Sequence, residues 1–523
     1  MEIRLPSFPE IPLTFVWLNS ILRHGDYTRR SLPPTTREAP MSTGLSSKFN
    51  ILRESPLDHH PPEPVAGPAK VAASNRWVAS RYNIQTPTED GRLIVWNTFR
   101  GSMSVFPPEQ KDAVKSLLTR RGCDSSSKGI VGYLYDRGFL IPEGTDEYRL
   151  FQHAFGYQHY RQDALELILL ASEDCNFRCQ YCYEDFTRGT MKPQVRESIK
   201  KLVRKKLPSL RYLSVSWFGG EPLYGWPAIE DLAPFFRDIA VENSLAYYSN
   251  MTTNGYLLTP DVADKLLPWG VLRYQITIDG APEDHNRNRP GRNGEPTFDV
   301  IFQNLLELRK RPEEFMIDLR INFDRQNRSG LDDFIDLLGH EFGGDPRYRL
   351  RIRPVGRWGG SNDSNLDVCG KDEAKETTYQ LIGRAAQKGL GSCDDVRDSR
   401  GLGSKVCYAA RPYNYIIGAD GLVMKCTVDL DKEDRNVVGR LDEEGILHLD
   451  NAKFTMWTEP AYSGDDGCQK CVILPLCQGI SCPLIRITED KSPCVPLRSN
   501  AKRDLLLADR YRKKPARERV VRG

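Results

Sequence analysis

From residue 164 onward the apolar positions alternate between two patterns. Short apolar runs, "ALELILLA", "YLSVSWF", "AYYSNMTT", "LRYQITI", "MIDLRINF" and "RLRIRPV", read as strands. The segments between them carry apolar residues at helical spacing. Val195, Ile199, Leu202 and Val203 share one face of the first helix, Thr259 and Pro260 supply the N-cap and first residue of another, and Ser329 is read as the cap of a third. Six strand–helix units predict an α/β fold built on a partial (β/α)6 barrel with a parallel sheet over residues 160–390. In such a sheet chemistry gathers at the carboxyl ends of the strands.

The flanks read differently. Residues 1–76 are rich in Pro, Ser and charge without a sustained period, and are expected to be disordered or poorly ordered, with Met41 an alternative start. Residues 77–150 read as a small α/β module: "RLIVWNTF" and "SMSVFP" as strands joined at Arg100-Gly101, "PEQKDAVKSLLTRRG" as a helix, and "KGIVGYLYDRGFLIP" as a second helix and closing strand. Residues 391–500 are turn-rich and dense in cysteine. The tail 501–523 has nine Lys/Arg against three acids and reads as a solvated helix or frayed end.

Composition narrows the function classes. A net charge of +3 over 523 residues does not mark a nucleic-acid binder. No apolar run reaches the length of a membrane span, and no secretory signal is evident, so the cytoplasm is the expected compartment. Thirteen cysteines, mostly in the second half, suit metal or cluster binding better than a disulfide framework.

Three of those cysteines, Cys175, Cys179 and Cys182 in "CNFRCQYCYE", directly follow the first strand. A cubane cluster has four irons, so three thiolates leave one iron open to a small molecule. Structural zinc, the competing reading, wants a fourth ligand, which is absent locally. The stretch resembles the CxxxCxΦC signature of the radical SAM enzymes, with Tyr181 as the aromatic. The resemblance implies a [4Fe–4S] cluster whose open iron binds S-adenosyl-L-methionine, one-electron cleavage of that cofactor, and a 5′-deoxyadenosyl radical that takes a hydrogen atom from the substrate. Further segments resemble the family in order. Gly219-Gly220-Glu221-Pro222 ends the second strand, Asn254 lies in "TTNG", and Thr277 and Asp279 lie in "ITIDG". Arg289 stands where relatives keep an arginine, able to fork onto the cofactor carboxylate.

The second array, Cys407, Cys426, Cys468, Cys471, Cys477, Cys482 and Cys494, resembles the SPASM domain, which holds one or two auxiliary [4Fe–4S] clusters. By that likeness Cys468, Cys471, Cys477 and Cys494 complete one cluster. Cys407, Cys426 and Cys482 hold another, with Cys393 or an open site as the fourth position. One spacing departs: four residues, not three, separate Cys477 from Cys482. Two zinc sites are the alternative for this array taken alone. Residues 77–150 are similar to winged-helix-like leader-binding domains of peptide-maturation systems.

Together these resemblances imply an oxidoreductase that crosslinks side chains in a ribosomally made precursor peptide, served by a flavodoxin- or ferredoxin-type electron donor. Neither nucleic acid nor membrane is an expected partner. Two alternatives stand. A sulfatase-maturing enzyme would carry aspartate directly after the second cysteine of the Gx4C unit, where this chain has Thr427; Asp429, Glu433 and Asp434 are the nearby acids. A radical SAM RNA modifier would use the basic tail against phosphate.

Overall fold

The computed structural model describes residues 51–52, 75–119, 122–125, 128–186, 188–392, 396, 401–430, 432–489 and 491–511. All of them lie in one compact unit, 45–523.

The chain opens with β1 (Ile51–Leu52), β2 (Arg76–Ala79), β3 (Asn83–Pro87), β4 (Leu93–Asn97), β5 (Met103–Phe106), α1 (Pro108–Leu117), β6 (Cys123–Asp124), α2 (Gly129–Asp136), β7 (Leu140–Pro142) and α3 (Glu147–His159). Two small antiparallel sheets, β6-β2-β7 and β3-β4-β5, form here. Strands β2 and β3 and helix α3 go beyond the sequence reading. Helix α3 crosses its boundary at residue 150 and buries Phe151, Ala154, Phe155 and His159, a helical face.

Next come β8 (Ala164–Ser172), α4 (Pro193–Lys206), β9 (Tyr212–Gly219), α5 (Trp226–Glu242), β10 (Ala246–Thr253), α6 (Pro260–Leu266), β11 (Val271–Thr277), α7 (Pro282–Asn288), α8 (Phe298–Arg309), β12 (Met316–Phe323), α9 (Leu331–Phe342), β13 (Tyr348–Pro354) and α10 (Lys371–Gln387). Strands β8 to β13 pair in sequence order, all parallel, at the six expected places. The sheet stays open, since β8 and β13 do not pair. Every residue of β8 is buried, as expected of a strand covered on both faces. Val195, Ile199, Leu202 and Val203 of α4 pack into the main core with Trp217, Phe236 and Tyr247. The Thr259 hydroxyl accepts from the Val262 N–H and caps α6. Ser329 does not cap α9; it lies inside a 3-10 turn, Arg328–Gly330, and Gly330 takes the cap position without a side-chain bond. The turn continues straight into the helix, which leaves Ser329 no extended backbone from which to cap.

The sheet continues past the six strands. Strand β14 (Gly391–Ser392) adds in parallel beside β13, and β15 (Asn414–Ile417) adds in parallel beside β8. Strands β16 (Leu422–Met424), β17 (Val437–Leu441) and β18 (Leu447–Leu449) extend that side antiparallel. The chain ends in α11 (Asn451–Thr458), α12 (Asp466–Gln469), α13 (Leu474–Cys477), α14 (Pro483–Glu489) and α15 (Leu497–Arg510).

Three expectations about the termini change. Ile51 and Leu52 pair with Tyr247 and Tyr248 of β10, so the chain is built into the sheet well before residue 76; residues 1–50 and 53–74 lie outside the described residues. The basic tail is not a separate solvated element as far as residue 510. Helix α15 spans 500/501 and buries Leu497, Ala501, Leu505 and Ala508 against Ile84, Ile94 and Trp96 of the N-terminal strands. Arg92 forks onto Asp509 at 3.0 and 2.7 Å, fastening the same contact. Residues 512–523 lie outside the described residues.

Candidate active site

The loop after β8 carries the cysteine triplet and Tyr181; Gly219, Gly220, Glu221 and Pro222 end or follow β9, Asn254 follows β10, Thr277 and Asp279 end or follow β11, and Arg289 caps α7. Cys175 is buried; Cys179 and Cys182 are partly exposed, and all three are free thiols. Backbone N–H groups shape the loop: that of Phe177 donates to Cys175 Sγ at 3.3 Å, and that of Cys182 donates to the Cys179 carbonyl at 3.1 Å. Burial pushes the thiol of Cys182 up to about 12 and raises Cys175 and Cys179 as well. Thiols so reluctant to ionise become ligands when a metal takes the charge.

Gly219 and Gly220 let β9 close onto this loop. A Cβ on Gly219, whose φ is +123°, would lie 2.1 Å from the Ser172 carbonyl oxygen, and one on Gly220 would lie 3.0 Å from Cys175 Cβ. Glu221 follows, fully buried. Its carboxylate accepts from the Leu223 N–H at 2.9 Å, the Thr253 hydroxyl at 2.8 Å and the Asn254 N–H at 2.7 Å. It therefore ties the end of β9 to the end of β10. Pro222 starts the 3-10 turn beyond it. Asn254, so held, donates through Nδ2 to Asn176 Oδ1 at 2.8 Å and approaches Cys175 Sγ at 3.9 Å.

A second hub centres on Tyr181. Its hydroxyl donates to Asp279 and accepts from Arg289 at 2.8 Å and Asn322 at 3.0 Å. The other Asp279 oxygen accepts from the Asn322 N–H at 2.8 Å. Asn327 donates to the Asp279 carbonyl at 2.7 Å, and His285 Nδ1 accepts the Asp279 N–H at 3.2 Å. Thr277, nearly buried, ends β11 beside this hub. Asn322, Asn327 and His285 were not singled out from the sequence. Asn322 follows Asp318 and Arg320 in the same alternation along β12, and Asn327 and His285 lie off the strands, so no break in the apolar pattern marked them.

Does this site suit an iron–sulfur cluster with a carboxylate-bearing cofactor? Arg289 is 7% exposed, yet its Nε has no partner among the described residues, and its charge lies beside Cys179. A buried guanidinium with an unused donor next to three thiols calls for an anion. The donor set fits. Among the described residues no three His, Cys, Asp or Glu side chains are gathered closely enough to share one metal ion. Cluster thiolates bind separate irons and so stand wider apart than the ligands of a single zinc.

In the second array Cys407, Cys426 and Cys482 lie within electrostatic reach of one another. Cys468, Cys471, Cys477 and Cys494 line one pocket with Arg486 and Arg498, and Arg498 donates to Cys494 Sγ at 2.7 Å. Burial pushes Cys407 and Cys477 up to about 11 and Cys426 and Cys468 up to about 12. Between Cys477 and Cys482 the chain makes a left-handed turn, with Gln478 at φ 51° and Gly479 at φ 70°. Cys393 lies outside the described residues. The Thr427 hydroxyl bonds that of Tyr408 at 2.7 Å, and Asp429 is held in a two-pronged pair by Arg435 at 2.6 and 2.9 Å.

An open parallel α/β sheet with a cysteine triplet after its first strand and a charged hub at its carboxyl edge defines a class. Residues 169–338 match the model of the Radical SAM superfamily. Among curated proteins, the chain is 25% identical over 168 residues to the radical SAM cyclopropyl synthase TigE of Paramaledivibacter caminithermalis, covering 28% of this chain and 35% of TigE. It is 38% identical over 148 residues to a GTP 3′,8-cyclase of Microcystis aeruginosa, covering 27% of this chain and 38% of that protein. The chain thus spans little more than a third of the length of these relatives. The solved structure of native anSMEcpe with bound AdoMet and the Cp18Cys peptide superposes with a TM-score of 0.51 at 18% identity, covering 66% of this chain and 98% of that one, and shares its fold. No helix among the described residues is long and apolar enough to cross a membrane.

Proposed function

We propose that this protein is a radical SAM oxidoreductase acting on a peptide, and that it crosslinks side chains in a ribosomally made precursor. When bound, the cluster and S-adenosyl-L-methionine supply a one-electron cleavage that yields 5′-deoxyadenosine and removes a hydrogen atom from the substrate. The chain's own residues hold and orient. Cys175, Cys179 and Cys182 would ligate three irons. Arg289, kept in place by Tyr181 and Asp279, would take the cofactor carboxylate. Glu221 and Asn254 fix the loop that carries Cys175.

The observation that supports the peptide reading is a broad, solvent-open groove of about 2,080 Å³, lined by none of the residues of the cysteine triplet or the Tyr181 hub. It runs from Met103, Ser104 and Val105 of β5 past the end of β13 to Cys494 and α15. Small-molecule sites are usually about 300–1,000 Å³. Among the described residues strand β5 pairs with β4 alone, which would leave its outer edge to an added strand. The seven cysteines of the second array would hold auxiliary clusters that exchange electrons with the radical site, replenished by a flavodoxin- or ferredoxin-type donor. The sulfatase-maturing reading is weaker here, because Thr427 and Asp429 are both engaged and neither offers a free carboxylate base. The RNA-modifying reading gains no support from α15, which buries its apolar face on the N-terminal strands, and residues 512–523 lie outside the described residues.

The test is anaerobic reconstitution followed by assay for 5′-deoxyadenosine, then co-expression with candidate precursor peptides and mass measurement. A loss of two hydrogens per crosslink is expected. Zinc in place of iron, or no cofactor cleavage under reduction, would overturn the reading.

A further inference from the structure

In β12 the residues facing away from the helices are Met316, Asp318, Arg320 and Asn322, since Ile317, Leu319, Ile321 and Phe323 belong to the main core. Below Arg320, Asp318 is paired at 2.8 Å with Arg273 and at 3.5 Å with Arg351. Above it, Asn322 is spent on Asp279 and Tyr181. Arg320 differs from both. Its Nε donates to Asn322 Oδ1 at 2.8 Å, which fixes the guanidinium plane, and it forms no ion pair with any carboxylate of the described residues. It sits in register between Thr277 and Arg351, at the carboxyl edge of the sheet. Tyr183 lies within electrostatic reach of Arg320, Cys182 and Cys426.

We propose that Arg320 binds a carboxylate of the substrate, so that the peptide segment acted on carries an aspartate or glutamate side chain beside the reacting residue. This rests on the peptide reading above. Arg320 is partly exposed, and Asp279 attracts it from a distance, but no carboxylate of the described residues pairs with it directly; burial pulls its pKa down, so an anion from outside the chain would complete its surroundings. A guanidinium held by its Nε presents both terminal nitrogens as a fork, the geometry that grips a carboxylate at two points. The cofactor carboxylate is not that anion. Arg289 lies beside Cys179 with an unused buried donor and would serve it, whereas Arg320 is fixed by Asn322 and has Tyr181 and Tyr183 as electrostatic neighbours.

The test uses the reconstituted, S-adenosyl-L-methionine-loaded protein, with N-acetyl-glutamate N-methylamide as probe and its glutamine counterpart as control. The glutamate probe at millimolar concentration should raise the melting temperature and the glutamine probe should not. The response should vanish in Arg320→Gln and persist in part in Arg320→Lys, which retains the charge and controls for folding. Cofactor affinity of Arg320→Gln should stay within about twofold of the parent, well short of the tenfold change that marks a lost ion pair. A response that survives Arg320→Gln overturns the proposal, as does the absence of any response in the parent. A tenfold loss of cofactor affinity would reassign Arg320 to the cofactor. Formation of 5′-deoxyadenosine by the same loaded sample reports separately on the radical SAM reading, so failure of the probe alone leaves that reading standing.

Discussion

Replacing Glu221 by alanine removes one carboxylate and strands three donors: the N–H groups of Leu223 and Asn254 and the hydroxyl of Thr253. Glu221 has no exposed surface, so water does not replace it. Each buried N–H left without an acceptor costs about 1–3 kcal/mol, and two of them put the loss near about 4 kcal/mol. Glutamine keeps the shape and one oxygen but sets an amide donor against one of the donors. A loss of about 2 kcal/mol is expected there. Against a typical stability of about 5–15 kcal/mol both are large. The assay is denaturant unfolding of the metal-free protein followed by tryptophan fluorescence, for which buried Trp217 on β9 is a local reporter. The reconstituted proteins should also lose iron, because Asn254 no longer braces Asn176 and the Cys175 loop. If Glu221→Ala changed stability by less than about 0.5 kcal/mol, the background of a neutral surface substitution, while cofactor binding was abolished, the clamp would be refuted and the side chain would be a cofactor contact.

Cys179→Ala should abolish 5′-deoxyadenosine formation and lower the iron content, as one iron loses its thiolate; unchanged activity would exclude the triplet as the cluster site. Cys471→Ala should stop peptide modification more completely than cofactor cleavage, measured side by side by mass spectrometry and nucleoside chromatography; equal loss of both would mark the second array as mainly structural. His159 is held neutral by burial, its pKa pushed down to about 4, with Nε2 bonded to the Thr458 carbonyl. The unfolded chain takes that proton at about pH 6.5 and the native chain does not, so stability should fall as pH drops from about 6.5 to about 4 and level off below, by about 3 kcal/mol in all. Urea midpoints across that window, compared with His159→Gln, should show the slope flattened in the variant; parallel slopes would remove His159 as its source.

The barrel strands were legible because parallel strands covered by helices must be apolar along their whole length, and "ALELILLA" is buried throughout. The N-terminal strands were less so. Strand β3, "NIQTP", alternates between buried and half-exposed positions over five residues, with a threonine as one of its two buried side chains. Strand β2 has no fully buried residue. Neither carries a run that an apolar pattern can register. The docking of α15 was hidden for another reason. Its charge count suggested solvent, yet Leu497, Ala501, Leu505 and Ala508 recur at spacings of four, four and three, and that stripe decides which face is buried whatever the other face carries.

In the site, motifs pointed to residues that the fold gathers near the cysteine loop, but spacing did not give each its task. Glu221 was expected to meet the cofactor; its oxygens are turned to the neighbouring strand end. Tyr181 was read as the aromatic of a signature, and its hydroxyl joins Asp279, Arg289 and Asn322. Such tasks depend on which atoms converge in space, which spacing along one chain does not encode. A different kind of signal was present in "MIDLRINF". Asp318, Arg320 and Asn322 alternate with core residues in a strand whose helix-facing side is apolar, so all three point to the inside of the sheet. Inside, each polar group must have a partner or a purpose. Asp318 and Asn322 have partners in the chain, and Arg320, without a direct ion pair among the described residues, is the position at which the proposed substrate carboxylate would complete the electrostatics of the site.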